Sequence, residues 1–167
     1  MSKKAVSIAI IITLMMSLLG AQFTGRSSAN FFPYPGPDLP RIYIRNEGSV
    51  EPATASIERL GNSYKLTDNI IMHTIVIQRN NIVLDGSGYL IEGNKSWVGH
   101  APRLGDAGNN GIIIAGGNNI NITNLNIEQF TAGVRISGSS RINIVDNNFN
   151  EEAAVYDTPM GIVIETS

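Results

Sequence analysis

A repeat of 22 residues is the feature that most constrains the fold of this chain. The tetrapeptide GIII at Gly111 recurs as GVRI at Gly133, and INI at residues 120–122 recurs after the same interval at residues 142–144. A third copy of the first motif, GIVI, begins at Gly161, after one period and a six-residue insertion. Two separate motifs with one period indicate a repeat architecture, in which each unit packs on its neighbours.

Short strands, rather than helices, are predicted within each repeat. From Thr74 onward, Ile and Val occur at alternate positions in short bursts that Gly and Asn separate. Such strands bury their inner face only if the next repeat stacks on them, about 4.8 Å along the axis. The pattern therefore predicts stacked coils over residues 74–167, in which like residues lie on like. The inward positions of two successive repeats are Ile112, Ile114, Ile120, Ile122 and Ile127, followed by Val134, Ile136, Ile142, Ile144 and Phe149.

The N-terminal residues 1–29 have the pattern of a signal peptide. Lys3 and Lys4 precede an uncharged apolar run, and Ala29 ends a stretch of small residues suited to cleavage. The run is shorter than the ~20 apolar residues that a membrane-spanning helix needs. We therefore expect an exported protein, secreted or at the cell surface, without a stable membrane span after cleavage. An uncleaved anchor is the alternative.

Two segments separate the signal peptide from the regular repeat. Residues 30–40 contain four prolines, which block regular hydrogen bonding and favour a stiff, extended linker. Residues 41–73 contain the strand candidates RIYIR, SIERL and SYKL, with a turn at Gly61 and Asn62. We expect this segment to form strands that cap the first coil.

The composition argues against nucleic acid as a partner and excludes disulfides as a source of stability. Charged residues make up 16% of the chain and the formal net charge is -2, so it lacks the basic surface that nucleic acid binding needs. The chain has no Cys, so its stability must come from backbone hydrogen bonds and packed apolar stacks rather than from disulfides. We expect no nucleic acid partner and no cofactor.

Three segments carry a resemblance to a known superfamily: NNIVLDGSGYLIEG at 80–93, GNNINITNLNI at 117–127 and SSRINIVDNNF at 139–149. They resemble the right-handed parallel β-helix superfamily, in particular the pectin-lyase-like and NosD-type repeat proteins of exported prokaryotic chains. The resemblance covers about residues 41–167. It implies an all-β fold, a right-handed parallel β-helix of about 22 residues per coil that is incomplete at the C-terminus. It specifies a fold far better than an activity.

Several residues are expected to have structural roles at the coil corners. The DGSG sequence after residue 84 is typical of a turn, and a Gly opens each coil. Asn147 takes the place of Leu125 one period later, where an amide can bond the neighbouring turn backbone and begin a stacked amide ladder. The predicted turn and ladder residues are Asp85, Gly86, Gly88, Gly111, Gly133, Asn147 and Gly161.

Interruptions of the period suggest where a ligand would bind. Extra residues precede Gly111 and Gly161, so stacking the coils places both insertions on one edge, and insertions on one face of a solenoid often form its binding face. Aromatic rings stack on sugars while carboxylates and Arg bond hydroxyls, so we expect polysaccharide or another extended cell-surface polymer as partner. Alternatively, Trp97 and Tyr156 fold back over the core. The candidate ligand-binding residues are Trp97, His100, Arg103, Asp106, Glu151, Glu152, Tyr156 and Asp157.

An enzyme is the main alternative to a binding module. The lyases of the superfamily use acidic calcium ligands and a basic residue on an outer strand face. Here Arg135 is outward and Asp146 lies near a turn, but no acidic cluster accompanies them, and an isolated Arg is usually solvated surface. We expect no catalytic residue in this segment, and the enzyme hypothesis requires a polysaccharide lyase or hydrolase with catalytic coils beyond Ser167.

Two further alternatives are a structural surface repeat and a NosD-like copper-handling protein. The available copper ligands are Met72, His73, His100 and Met160, without Cys or paired His at metal-ligand spacing. We therefore expect no metal site. The last coil shows no cap, so we also expect the chain to be a fragment, whose open strand edges favour aggregation.

Overall fold

The structure, a computed structural model, describes residues 38–94, 109–150 and 160–165. Its regular elements in those ranges are all β-strands, and none of the described residues belongs to a helix long and apolar enough to cross a membrane. The predicted signal peptide and most of the linker lie outside these ranges. The strands are β1 (Arg41–Ile44), β2 (Val50–Glu51), β3 (Ile57–Leu60), β4 (Ser63–Leu66), β5 (Ile70–Ile71), β6 (Thr74–Ile77), β7 (Ile82–Asp85), β8 (Leu90–Glu92), β9 (Asn110–Ala115), β10 (Asn118–Thr123), β11 (Asn126–Glu128), β12 (Ala132–Ser137), β13 (Ser140–Val145), β14 (Asn148–Asn150) and β15 (Met160–Glu165).

The strands of the described ranges form three sheets. Sheet A has the order β15-β12-β9-β6-β1-β2, sheet B the order β13-β10-β7-β4-β3, and sheet C the order β14-β11-β8-β5. The chain passes through sheets A, B and C in turn, and each later passage adds strands parallel to those of the passage before. The expectation of an all-β fold with parallel strands is confirmed.

The pairing register between the third and fourth passages follows the sequence repeat. Val134 lies opposite Ile112 in sheet A, and Ile142 lies opposite Ile120 in sheet B. Each pair is separated by one 22-residue period, the same separation that joins Asn143 to Asn121 by a side-chain hydrogen bond. The backbone register therefore stacks each of these residues on its counterpart one period away, as the repeat predicted.

The core consists of inward columns of branched apolar side chains. In sheet A, Ile75, Ile112 and Val134 stack on one another and have no solvent exposure. Tyr64 begins a column in sheet B, and its buried hydroxyl donates to the carbonyl of Gly48 at 2.9 Å, so burial leaves no unpaired phenol. Each fully buried Ile contributes about 1.5–3 kcal/mol relative to an exposed one, so these columns hold the passages together.

Residues 41–73 contribute to all three sheets. Strands β1, β4 and β5 pair in parallel with β6, β7 and β8. Strand β2 pairs antiparallel with β1, and β3 pairs antiparallel with β4. The segment thus contains a first passage through the sheets together with two antiparallel strands that cover the edges of sheets A and B, where unpaired strands would invite association.

Candidate functional site

The corners on both sides of sheet B contain residues in the left-handed conformation. At the corner between sheets A and B, Asn81, Asn119 and Arg141 have φ angles of 56°, 55° and 54°. At the corner between sheets B and C, Asn124 and Asp146 have φ angles of 56° and 54°. Asn and Asp adopt this conformation more readily than other residues with a side chain, which explains why the corners are rich in them. Polar side chains therefore border the outer face of sheet B on both sides.

A trough runs along the border of sheet B next to sheet A, and we call it the amide trough. Its volume is about 470 Å³. It crosses β4, β7, β10 and β13, so it follows the direction in which the strands stack. Half of its ten lining residues are asparagines: the residues are Asn62, Ser63, Asn81, Ile82, Val83, Asn119, Ile120, Asn121, Arg141 and Asn143.

Hydrogen bonds join the amides of the trough in pairs. The side-chain nitrogen of Asn119 donates to Oδ1 of Asn81 at 3.0 Å, and that of Asn143 donates to Oδ1 of Asn121 at 3.3 Å. Each amide carries two donor hydrogens and a carbonyl acceptor, so one bond per pair leaves donor and acceptor capacity at the surface. Hydroxyl groups, which both donate and accept, match that capacity.

Arg141 is the one charged residue that lines the amide trough. It lies at the start of β13, and its side chain is exposed. Within the described ranges its guanidinium has no hydrogen bond or ion pair. The trough therefore presents an uncompensated positive charge beside a row of neutral amides.

A second trough follows the border of sheet B next to sheet C, and we call it the acidic trough. It has a volume of about 510 Å³ and is lined by Lys65, Asp85, Ser87, Gly88, Asn124, Leu125, Asn126, Asp146 and Asn148. Oδ1 of Asp85 accepts from the backbone N–H of Ser87 at 2.8 Å and from the amide of Asn124 at 3.2 Å. Asp85 is therefore engaged in the turn itself, at the corner where the sequence placed it.

None of the His, Asp and Glu residues in the described ranges forms a group of three that could hold a metal ion.

Of the glycines predicted at turns, Gly111, Gly133 and Gly161 lie inside strands rather than at corners, and Gly86 and Gly88 lie at a corner. Gly111 and Gly133 are buried in β9 and β12, and a Cβ added to Gly111 would lie 2.5 Å from the carbonyl oxygen of Gly133. Gly161 has the equivalent position in β15, next to the ring of Phe149. At the corner after β7, a Cβ on Gly86 would meet Leu125, whereas Gly88 faces open space with a φ of 81°.

Asn147 bonds the corner backbone on both sides. Its Oδ1 accepts from the N–H of Leu125 at 3.0 Å, and its amide nitrogen donates to the carbonyls of Ile122 and Val145, both at 2.9 Å. The amide thus satisfies three backbone groups of two successive corners. This is the kind of bonding that the sequence comparison with Leu125 suggested.

The predicted ligand-binding residues all lie outside the described ranges: Trp97, His100, Arg103, Asp106, Glu151, Glu152, Tyr156 and Asp157. What the structure describes is the base of the first insertion. Oδ1 of Asn109 accepts from the N–H of Asn94 at 3.2 Å, and its amide nitrogen donates to the carbonyls of Asn94 and Gln129 at 3.2 and 2.9 Å. Both insertions connect a strand of sheet C to a strand of sheet A.

Two other residues considered from sequence have bonding partners. Arg135 was expected to be solvated surface, and that expectation is wrong: its guanidinium pairs with Glu165 at 2.7 Å, and the two side chains are only 14% and 23% exposed. The ion pair joins neighbouring strands of sheet A, and partial exclusion of water strengthens the attraction between its charges. Among the copper ligand candidates, His73 has Nδ1 2.8 Å from the carbonyl of Ile71 in its own turn.

Comparison of the chain with models of protein families, with curated proteins and with solved structures found no match.

Proposed function

We propose that the chain is an exported, right-handed parallel β-helix module of the pectin-lyase-like or NosD type that binds polysaccharide or another extended cell-surface polymer. The order of the sheets supports the coiled path, because each passage through A, B and C adds a parallel strand to each. The right hand follows from the strong preference of parallel strand connections for that hand. Export is inferred from the signal-peptide pattern of residues 1–29.

The observation that carries the binding function is the amide trough. It presents similar polar groups on successive strands, which lie about 4.8 Å apart in a sheet. A polymer that lies along the stack therefore meets at least one Asn at or beside each of the four strands, and each sugar hydroxyl can both donate to and accept from such an amide. Contacts that are individually weak add up along a tethered chain, because each later contact forms at high effective concentration.

The edge that carries the two insertions, which we call the loop-bearing edge, is a second surface for the same polymer. Its aromatic and charged residues suit sugar recognition by stacking and hydrogen bonding. Trp97 is the residue whose replacement tests this surface. Since both insertions connect sheet C to sheet A, they leave the stack at a different corner from the amide trough. The two surfaces can therefore be tested separately.

Affinity electrophoresis of the mature chain against a panel of soluble polysaccharides tests the proposal. We expect at least one polysaccharide to retard the protein, and Asn143→Val to reduce that retardation because it removes an amide from the trough while keeping a strand-forming residue. Asn148→Val is the matched control: it removes an exposed amide that contacts Asn126 at 3.4 Å in sheet C, where it lines the acidic trough and not the amide trough.

The outcomes separate the hypotheses. Loss of retardation in Trp97→Ala alone would move binding to the loop-bearing edge, and loss in Asn143→Val alone would assign it to the amide trough. If no polysaccharide in the panel retards the wild-type protein, the proposed function is wrong. Release of new reducing ends from a bound polysaccharide would instead favour the lyase or hydrolase alternative.

A further inference from the structure

Sheet C begins with a strand whose outer edge is uncovered. Sheets A and B begin with the antiparallel strands β2 and β3, whereas sheet C begins with the two-residue strand β5. Within the described ranges, β5 pairs with β8 and with no other strand. The edge of a sheet presents backbone N–H and C=O groups that invite pairing, so natural proteins cover it or make it unsuitable for a further strand. The edge of β5 is therefore open to a strand from outside the described ranges.

The backbone around β5 shows which groups face this edge. Met72 donates its N–H to the carbonyl of Glu92 in β8 at 2.7 Å, so the polar backbone groups of Ile71, the residue before it, point away from β8. Nδ1 of His73 lies 2.8 Å from the carbonyl oxygen of Ile71. Ile71 and Met72 are 43% and 38% exposed. The edge thus combines backbone hydrogen-bonding groups with apolar surface.

The chain enters sheet A next to this edge. Strand β6 follows β5 after two residues, and the carbonyl of Pro40, just before β1, accepts from the N–H of Thr74 at the start of β6 at 2.9 Å. Leu39 is 3% exposed, so the chain is already packed on the core before β1 begins. The residues that precede Asp38 therefore reach the fold at the corner where β5 ends.

We propose that residues 33–37, with the sequence PYPGP, form an extended strand that pairs with β5 and covers the edge of sheet C. Proline occupies the first, third and fifth positions of this segment. In a strand, the N–H groups of alternate residues point to the same edge, so the three positions without an N–H face solvent while Tyr34 and Gly36 donate towards β5. The solvent-facing edge then offers no donor to a further strand, which ends the sheet. The segment is a cap of sheet C rather than a free spacer.

Hydrogen exchange of the wild-type mature chain, resolved by residue with NMR, tests the pairing. We expect the N–H groups of Tyr34, Gly36 and Ile71 to exchange at least about tenfold more slowly than in an unstructured peptide, because a hydrogen-bonded amide exchanges only when the structure opens locally. Exchange of Tyr34 and Gly36 at the rate of the unstructured peptide would overturn the inference. Slow exchange of Ile71 alone would mean that another occupant, such as a second copy of the chain, covers the edge, and would overturn it as well.

Gly36→Pro and Pro35→Ala form a matched pair of variants. Gly36→Pro removes a donor that faces β5, so we expect the N–H of Ile71 to exchange at least about tenfold faster than in the wild type. Pro35→Ala adds an N–H on the solvent-facing edge, so we expect the exchange of Ile71 to stay within about twofold of the wild type. The N–H of Ile122, in the middle of sheet B, is the internal reference and is expected to stay unchanged in both variants. Equal exchange of Ile71 in the two variants would contradict the pairing.

The inference goes beyond the proposed function and does not depend on it. It concerns the edge of sheet C at the start of the stack, whereas the amide trough lies along sheet B. The exchange measurements need no polysaccharide, so they can refute the cap while the binding function stands.

Discussion

At the scale of single residues, Asn147 is the clearest case of an amide that stabilises the backbone. Replacing it by Ala leaves the N–H of Leu125 and two carbonyls without their partner. We expect Asn147→Ala to lower the free energy of unfolding by about 1–3 kcal/mol, as for other partly buried hydrogen-bonding groups. Urea denaturation followed by circular dichroism measures the change. Asn148→Ala, next to it on the exposed face, is expected to change the free energy by less than about 0.5 kcal/mol, and an equal effect of both would contradict the assigned role.

Gly111 tests the close approach of successive passages. A Cβ there would be only 2.5 Å from the carbonyl oxygen of Gly133, a backbone atom that cannot turn aside. We expect Gly111→Ala to destabilise the protein by about 1–3 kcal/mol through overpacking. Gly138, with a φ of 53° and open space around it, provides the comparison. Gly138→Asn is expected to cost less than about 1 kcal/mol, because Asn tolerates this conformation; a larger loss than in Gly111→Ala would refute the packing argument.

Sequence reasoning could assign a place in the repeat to Asn147 and Gly111 but could not identify the amide trough. The period aligns Asn147 with Leu125 and Gly111 with Gly133, so their positions follow from counting. An Asn at a corner, however, has the same sequence pattern whether it serves only the turn or also a surface. The trough follows from the register of sheet B, which brings corner and strand residues of four strands to one border. The sequence offered one signal of the trough: the positions of Asn119 and Asn121 are again polar one period later, as Arg141 and Asn143.

At the scale of the strands, the inward columns determine stability more than any outer position. Ile122 is fully buried in the middle of sheet B, between Leu84 and Ile144. We expect Ile122→Ala to lower the free energy of unfolding by about 2–5 kcal/mol, through lost burial and the cavity that remains. Val145 lies on the outer face of β13 and is 39% exposed. Val145→Ala is expected to cost less than about 1 kcal/mol, and similar losses in both variants by thermal and urea unfolding would contradict the assignment of the two faces.

The strands differ in how well alternation predicts them. For β9 to β14, one period separates each strand of the third passage from its partner in the fourth, so both these strands and their pairing follow from the sequence. For the first passage, the local pattern indicates strands and the hairpin of β3 and β4. It does not indicate that β1 pairs in parallel with β6, because β2 and β3 interrupt the period between them. A long-range pairing is hidden where an insertion breaks the repeat.

At the scale of the whole molecule, the passages through the three sheets are repeated units. Between the third and fourth passages every paired position of the three sheets is shifted by the same period. One passage is therefore interchangeable with the next as a structural unit, and the stability of such an array is approximately the sum of its units and their interfaces. Duplicating residues 111–132 should insert one more strand into each sheet without disturbing the others.

The duplication provides a test of this modular organisation. We expect the lengthened protein to unfold cooperatively, with a melting temperature no lower than that of the wild type, because the new passage forms two interfaces in place of one. A variant that carries the same 22 residues in scrambled order is the control. It has identical composition and length, but its apolar residues no longer alternate, so it cannot continue the inward columns and should melt at a lower temperature. Equal melting temperatures for the duplicated and scrambled variants would show that the register of the repeat does not determine the stack.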